Sequence, residues 1–209
     1  MSAIGLLYVG AVLLLNGLVL LGVITLRSAA PMNLFVGTLQ CVVPTILMVQ
    51  AGADGALLLQ AAGLYLFGFT YLFVGIAGFA GLDVVGIGWF SLFVAVTALT
   101  YAVVSAYRLD DVFSAVLWLS WALLWGLFFL LFALDRTTIE VFTGWSTILL
   151  GQATCTFPAI ALLLGFQPTR MWALALAVTV AALVGLAALL SRHTTSDDLA
   201  TRGALVDAT

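Results

Sequence analysis

Trp118-Leu119-Ser120-Trp121-Ala122-Leu123-Leu124-Trp125, followed by Gly126-Leu127-Phe128-Phe129, gathers three of the chain's 6 tryptophans within about two helical turns. On a helix advancing about 100° per residue, the i, i+3, i+7 spacing lays the three indoles along a stripe about 60° wide. At about 1.5 Å per residue the stripe is about 10 Å long, a third of a bilayer's hydrocarbon core of about 30 Å. Tryptophan in membrane helices favours the headgroup region, where its N–H stays hydrated. A stripe running from one end of an apolar helix towards its middle does more than that. Two uses are open: helix–helix packing, or an aromatic wall facing a polar solute that each indole N–H can touch.

The surrounding composition sets the class. Of 209 residues, 65% are hydrophobic and 7% charged, and the mean hydropathy is +1.28. That is an all-α, polytopic membrane protein with too little polar sequence for a separate soluble domain. A net charge of −3 spread over connections and tail offers no basic patch for nucleic acid. Cys41 and Cys155 lie inside apolar runs and read as small packing residues. A single histidine, His193, excludes haem held by paired intramembrane histidines and gives no metal site, so no cofactor is expected. No nucleophile–base pair supports catalysis, and the chain is read as a non-enzyme.

Apolar runs near the spanning length of about 20 residues lie at 4–26, 32–50, 57–76, 89–107, 113–134, 142–166 and 171–190. These predict one transmembrane domain over residues 1–190 and a polar, mobile tail, Ser191–Thr209. All the basic residues are arginines. With the N-terminus outside, Arg27, Arg136, Arg192 and Arg202 lie inside and Arg108 and Arg170 outside, which predicts N-out, C-in.

Polar residues inside the runs are few. Asn16, in mid-helix, needs a hydrogen-bond partner and serves either packing or a polar path. Gln40, Gln152 and Thr154 are candidates for the same two roles. The sixth run holds Gly151-Gln152-Ala153-Thr154-Cys155-Thr156-Phe157-Pro158, whose proline frees a backbone carbonyl. Asp54, Asp83, Asp110, Asp111, Asp135 and Glu140 all read as connection residues. An ion-coupled carrier keeps ionisable groups or broken helices near the midplane, so facilitated diffusion is expected. An ion-coupled transporter with Gly151–Pro158 as moving gate is the alternative.

Eight ordered blocks then carry a resemblance: GLLYVG (Gly5–Gly10), Asn16-Gly17, MNLFVG (Met32–Gly37), LFGFTYLFVGI (Leu66–Ile76), GLD (Gly81–Asp83), WFSLFVA (Trp89–Ala95), WLSWALLW (Trp118–Trp125) and FTGW (Phe142–Trp145). Together they resemble the AmiS/UreI family of urea and short-chain amide channels. The resemblance implies six core transmembrane helices per protomer, a homo-hexamer in the bacterial cytoplasmic (inner) membrane, and a separate pore in each protomer. It assigns the pore lining to Leu6, Val9 and Leu13, to Phe67 and Tyr71, and to Trp118, Trp121 and Trp125. The solutes it implies are acetamide, formamide and urea, with functional pairing to a cytoplasmic amidase or urease.

Two departures favour the amide-channel branch. The acid-gated urea channels of the family carry histidines in their outward loops and a glutamate in the sixth helix. Here those loops hold no histidine, and the glutamate's place falls at Leu150. The run at 171–190 is also added beyond the six-helix core, as a seventh span.

Overall fold

A computed structural model describes residues 3–194; the expected tail lies outside them from residue 195 onward. Among the described residues every regular element is helical. The helices are α1 (Ala3–Leu20), α2 (Leu26–Ala51), α3 (Gly55–Ala80), α4 (Val85–Tyr107), α5 (Val112–Phe128), α6 (Glu140–Gly151), α7 (Phe157–Leu163) and α8 (Arg170–His193). A π-turn, Phe129–Ala133, continues α5, and a second, Gln152–Thr156, joins α6 to α7. Counting those pieces as continuous, 7 segments are long and apolar enough to cross a membrane. This is the all-α bundle that the apolar runs predict. Short connections pair α2 with α3 and α4 with α5, while α1 closes the bundle against α6, and α8 lies outside on α5 and α6.

Helix ends follow local chemistry more closely than hydropathy. The first run extends to residue 26, but α1 stops at Leu20. Gly22 takes a left-handed φ of 65°, and Val23 N–H bonds Leu18 C=O while Gly22 N–H bonds Val19 C=O. That pair of bonds is a Schellman ending, which needs a residue at ease with positive φ. Thr25 then accepts the Ser28 N–H at 3.1 Å as N-cap of α2, which begins six residues before the second run was expected to start. Asp54 caps α3 by accepting from Ala56 and Leu57. Asp111 caps α5 by accepting from Ser114 N–H at 2.9 Å.

The sixth span is where the polar segment predicts a break. Pro158 cannot donate to the preceding turn, and the widened π-turn Gln152–Thr156 absorbs the disruption next to it. Here α1 comes close. A Cβ on Gly10 would fall on the Thr156 hydroxyl and within 3.0 Å of the Thr156 backbone nitrogen. Gln152 Nε2 donates to Gly10 C=O at 2.9 Å, and Thr156 Oγ1 donates to Gln152 Oε1 at 2.8 Å. The carboxamide is satisfied at both ends, so Gln152 is a tie between spans. The contact also sets the height of Val9 and Leu13 in the bundle.

Gly10→Ala should therefore cost about 1–3 kcal/mol, because a methyl forced into this contact must push α1 off the π-turn. Fluorescence-detected size exclusion after heating in detergent would show a lower melting temperature than wild type. An unchanged melting curve would mean that α1 does not rest there.

Candidate functional site

The three tryptophans of α5 sit at the centre of the buried cluster. Trp118, Trp121 and Trp125 are 4%, 1% and 0% exposed. Phe67 of α3 touches all three: its ring centroid is 5.6 Å from Trp118, 5.0 Å from Trp121 and 4.9 Å from Trp125. The first contact is stacked and the other two are edge-on, the geometries that aromatic quadrupoles favour. Tyr71, one turn on from Phe67, meets Trp125 at 6.4 Å. Leu6, Val9 and Leu13 of α1 belong to the same cluster. All eight residues that the family resemblance points to are brought together.

A cavity opens at each end of this cluster. The larger, about 180 Å³, is lined by Leu13, Asn16, Thr70, Tyr71, Trp125 and Glu140 among others. The smaller, about 50 Å³, is lined by Gln60, Tyr101, Asp111 and Trp118 among others. Trp118 and Trp125 are about 10 Å apart along α5, so the stripe reaches from one cavity to the other. Phe67 and Trp121 line neither and fill the interval between.

The indole N–H groups of Trp121 and Trp125 are engaged. Trp121 donates to Thr154 Oγ1 at 3.1 Å and Trp125 to Thr70 Oγ1 at 3.2 Å. Each threonine hydroxyl gives its own proton to the carbonyl one turn back, Thr154 to Leu150 at 2.6 Å and Thr70 to Leu66 at 2.7 Å. With its proton so used, the hydroxyl presents a lone pair to the indole. This corrects the expectation that every N–H in the stripe is free for a solute: at Trp121 and Trp125 the wall offers rings. The Tyr71 hydroxyl of the same cluster is buried without a hydrogen-bond partner.

The other candidate polar residues take separate places. Asn16 lines the larger cavity and also forms a reciprocal amide pair with Asn33 of α2, at 3.0 and 2.7 Å. The residue thus both packs against α2 and faces the cavity. Gln40 is buried against Gly5 and lines neither cavity. Gln152 faces an apolar groove between the sixth span and α8. Thr70 and Asn33 were not singled out as site residues, since a threonine or asparagine one turn from a carbonyl inside an apolar run gives no signal of a distant partner. Glu140 corrects the view that every acid lies in a connection: it opens α6 and faces the larger cavity. Asp110 pairs with Arg170 at 2.8 Å, both well exposed, tethering the start of α8 to the α4–α5 connection.

Replacing Thr70 by the near-isosteric valine leaves the Trp125 N–H buried without an acceptor, which should cost about 1–3 kcal/mol. In a Trp125→Phe background the same change should cost much less. Thermal unfolding of the four proteins closes this double-mutant cycle, and a coupling near zero would remove the bond from the account.

Known proteins resemble this chain in sequence and in fold. The description AmiS/UreI family transporter fits residues 1–166. A putative transporter protein AmiS2 of Rhodococcus erythropolis is 54% identical over 192 residues, covering 91% of this chain and 93% of that one. A putative amidate substrates transporter protein of Mycolicibacterium smegmatis is 44% identical, covering 90% and 86%. The crystal structure of the urea channel from Helicobacter pylori superposes with a TM-score of 0.71 at 34% identity, covering 79% of this chain and 98% of that one. With the family's span filled from α1 to α7 and the helical frame shared with the urea channel, the chain belongs to the AmiS/UreI family of transporters.

Proposed function

We propose that the chain is a passive channel for small, neutral, planar solutes, short-chain aliphatic amides and urea. The carrying observation is the aromatic interval between two cavities, with the buried, unpartnered Tyr71 hydroxyl where it meets the larger one. The buried polar residues among those described are all uncharged. An ion entering the interval loses its hydration with no charge to replace it, a penalty far larger than for a neutral amide. The amide keeps part of what it loses, because a hydrogen bond to Tyr71 is worth about 1 kcal/mol net. Contacts this weak also let the solute leave.

Passage requires the rings to part. Trp121 and Trp125 are held by the threonines, whereas Phe67 has no polar atom and is held by packing without a hydrogen bond. Phe67 is the movable part, and the two indoles define what fits beside it. The N-out orientation favoured by the arginines puts the smaller cavity outside and the larger one at the cytoplasmic face. A separate pore in each protomer of a homo-hexamer follows the family resemblance. The names of the relatives favour amides over urea, as do the absent outward histidines. A cytoplasmic amidase or urease is the enzyme such a channel would feed. The alternative of an ion-coupled transporter needs a moving gate at Gly151–Pro158, yet Gln152 and Thr156 hold that segment to α1.

Flux into proteoliposomes tests the channel. Acetamide should equilibrate with first-order kinetics and never exceed its external concentration under an imposed pH gradient or membrane potential. Accumulation against a gradient would establish a carrier instead. Trp121→Ala should loosen discrimination between acetamide and bulkier amides, and Tyr71→Phe should lower acetamide flux several-fold. Wild-type flux and selectivity in both variants would remove the interval from the pathway.

A further inference from the structure

The larger cavity holds one acid that the pathway above does not use. Glu140 follows the 3-10 turn Thr137–Ile139 and is the first residue of α6. A glutamate in a first turn suits the helix dipole wherever it points; this one lines the cavity with Asn16, Thr70, Tyr71 and Ser91. Among the described residues its carboxylate has no hydrogen bond and no ion pair. The ion pair they do contain, Asp110–Arg170, belongs to the connections at the opposite end of the bundle.

The other polar groups of the cavity are already committed. The Asn16 amide is paired with Asn33. Thr70 donates to Leu66 C=O and accepts from Trp125. Ser91, fully buried, donates to Ile87 C=O at 2.8 Å. Two groups remain: the Glu140 carboxylate, which when ionised only accepts, and the Tyr71 hydroxyl, 1% exposed and without a partner. An acceptor-only group and a hydroxyl that can donate, lining one cavity, are the complement of a primary amide, which carries N–H donors beside a carbonyl acceptor.

We propose that Glu140 is a specificity-determining residue: its carboxylate accepts the NH2 protons of primary amides and urea in the larger cavity and favours them over solutes of equal size with fewer N–H donors. This rests on the channel reading and adds the recognised group. A charge-assisted N–H···O⁻ bond is stronger than a neutral one, so the preference follows the count of N–H donors rather than molecular volume. A carboxylate at this wall also repels the anion that results when an amide is hydrolysed, a molecule of nearly the same shape.

Acetamide and N-methylformamide are isomers of equal atom count carrying two and one N–H groups, and their proteoliposome fluxes, corrected for protein-free vesicles, decide the matter. Wild type should pass acetamide several-fold faster. In Glu140→Gln, which keeps the shape and loses the charge, the ratio should fall towards one, and Glu140→Asp should recover part of it. An unchanged ratio in Glu140→Gln overturns the proposal. So does an equal fall of both fluxes, which would make Glu140 a helix-end residue only. If wild type passes neither isomer, the channel reading itself fails, and this proposal with it.

Discussion

An indole N–H inside a membrane protein has no water to fall back on, and the structure around α5 is arranged by that constraint. Trp125 reaches α3 through Thr70, and Trp121 reaches the π-turn of the sixth span through Thr154. Each threonine first satisfies its own helix and then accepts the indole. Three spans are thereby fixed in mutual height and rotation by two bonds. The wall ends up apolar because its polar edge points away from the interval. The two indoles that carry the polar groups turn those groups towards the threonines.

A second constraint is the approach of α1. Gly10 lets the helix rest on Thr156, and Gln152 ties the contact through the Gly10 carbonyl. A proline two residues beyond the π-turn means that this stretch of backbone cannot be regular helix, and the irregularity is used as a seat. Leu13 reaches the larger cavity from that seat. The amide pair Asn16–Asn33 then fastens α1 to α2 a little further on.

Much of this could be read before the structure. The spans are visible as apolar runs, since a lipid-facing helix must be apolar along about 20 residues. The tryptophan stripe is visible because helical period alone aligns residues 118, 121 and 125. What could not be read depends on pairing across the chain. Thr70 and Trp125 are 55 positions apart, and nothing local to either names the other. The end of α1 is hidden from hydropathy for a different reason. Hydropathy continues through Leu21, Val23 and Ile24, while the helix stops on backbone geometry that only Gly22 reveals. Glu140 was assigned to a connection because it sits at the edge of an apolar run, and its facing direction is a tertiary fact. The last span is legible too, yet the family description ends at residue 166 and α8 begins at Arg170.

Ring against ring between the two cavities has a bioenergetic meaning. Protons cross membranes along unbroken files of water, passing from one molecule to the next. Phe67 and Trp121, with centroids 5.0 Å apart, stand between the two cavities that such a file would have to join. On the proposed reading a solute parts the rings and occupies the gap itself, so the file never forms even during passage. A cell can then hold many copies of this protein in an energised membrane without draining the proton gradient that its ATP synthesis requires.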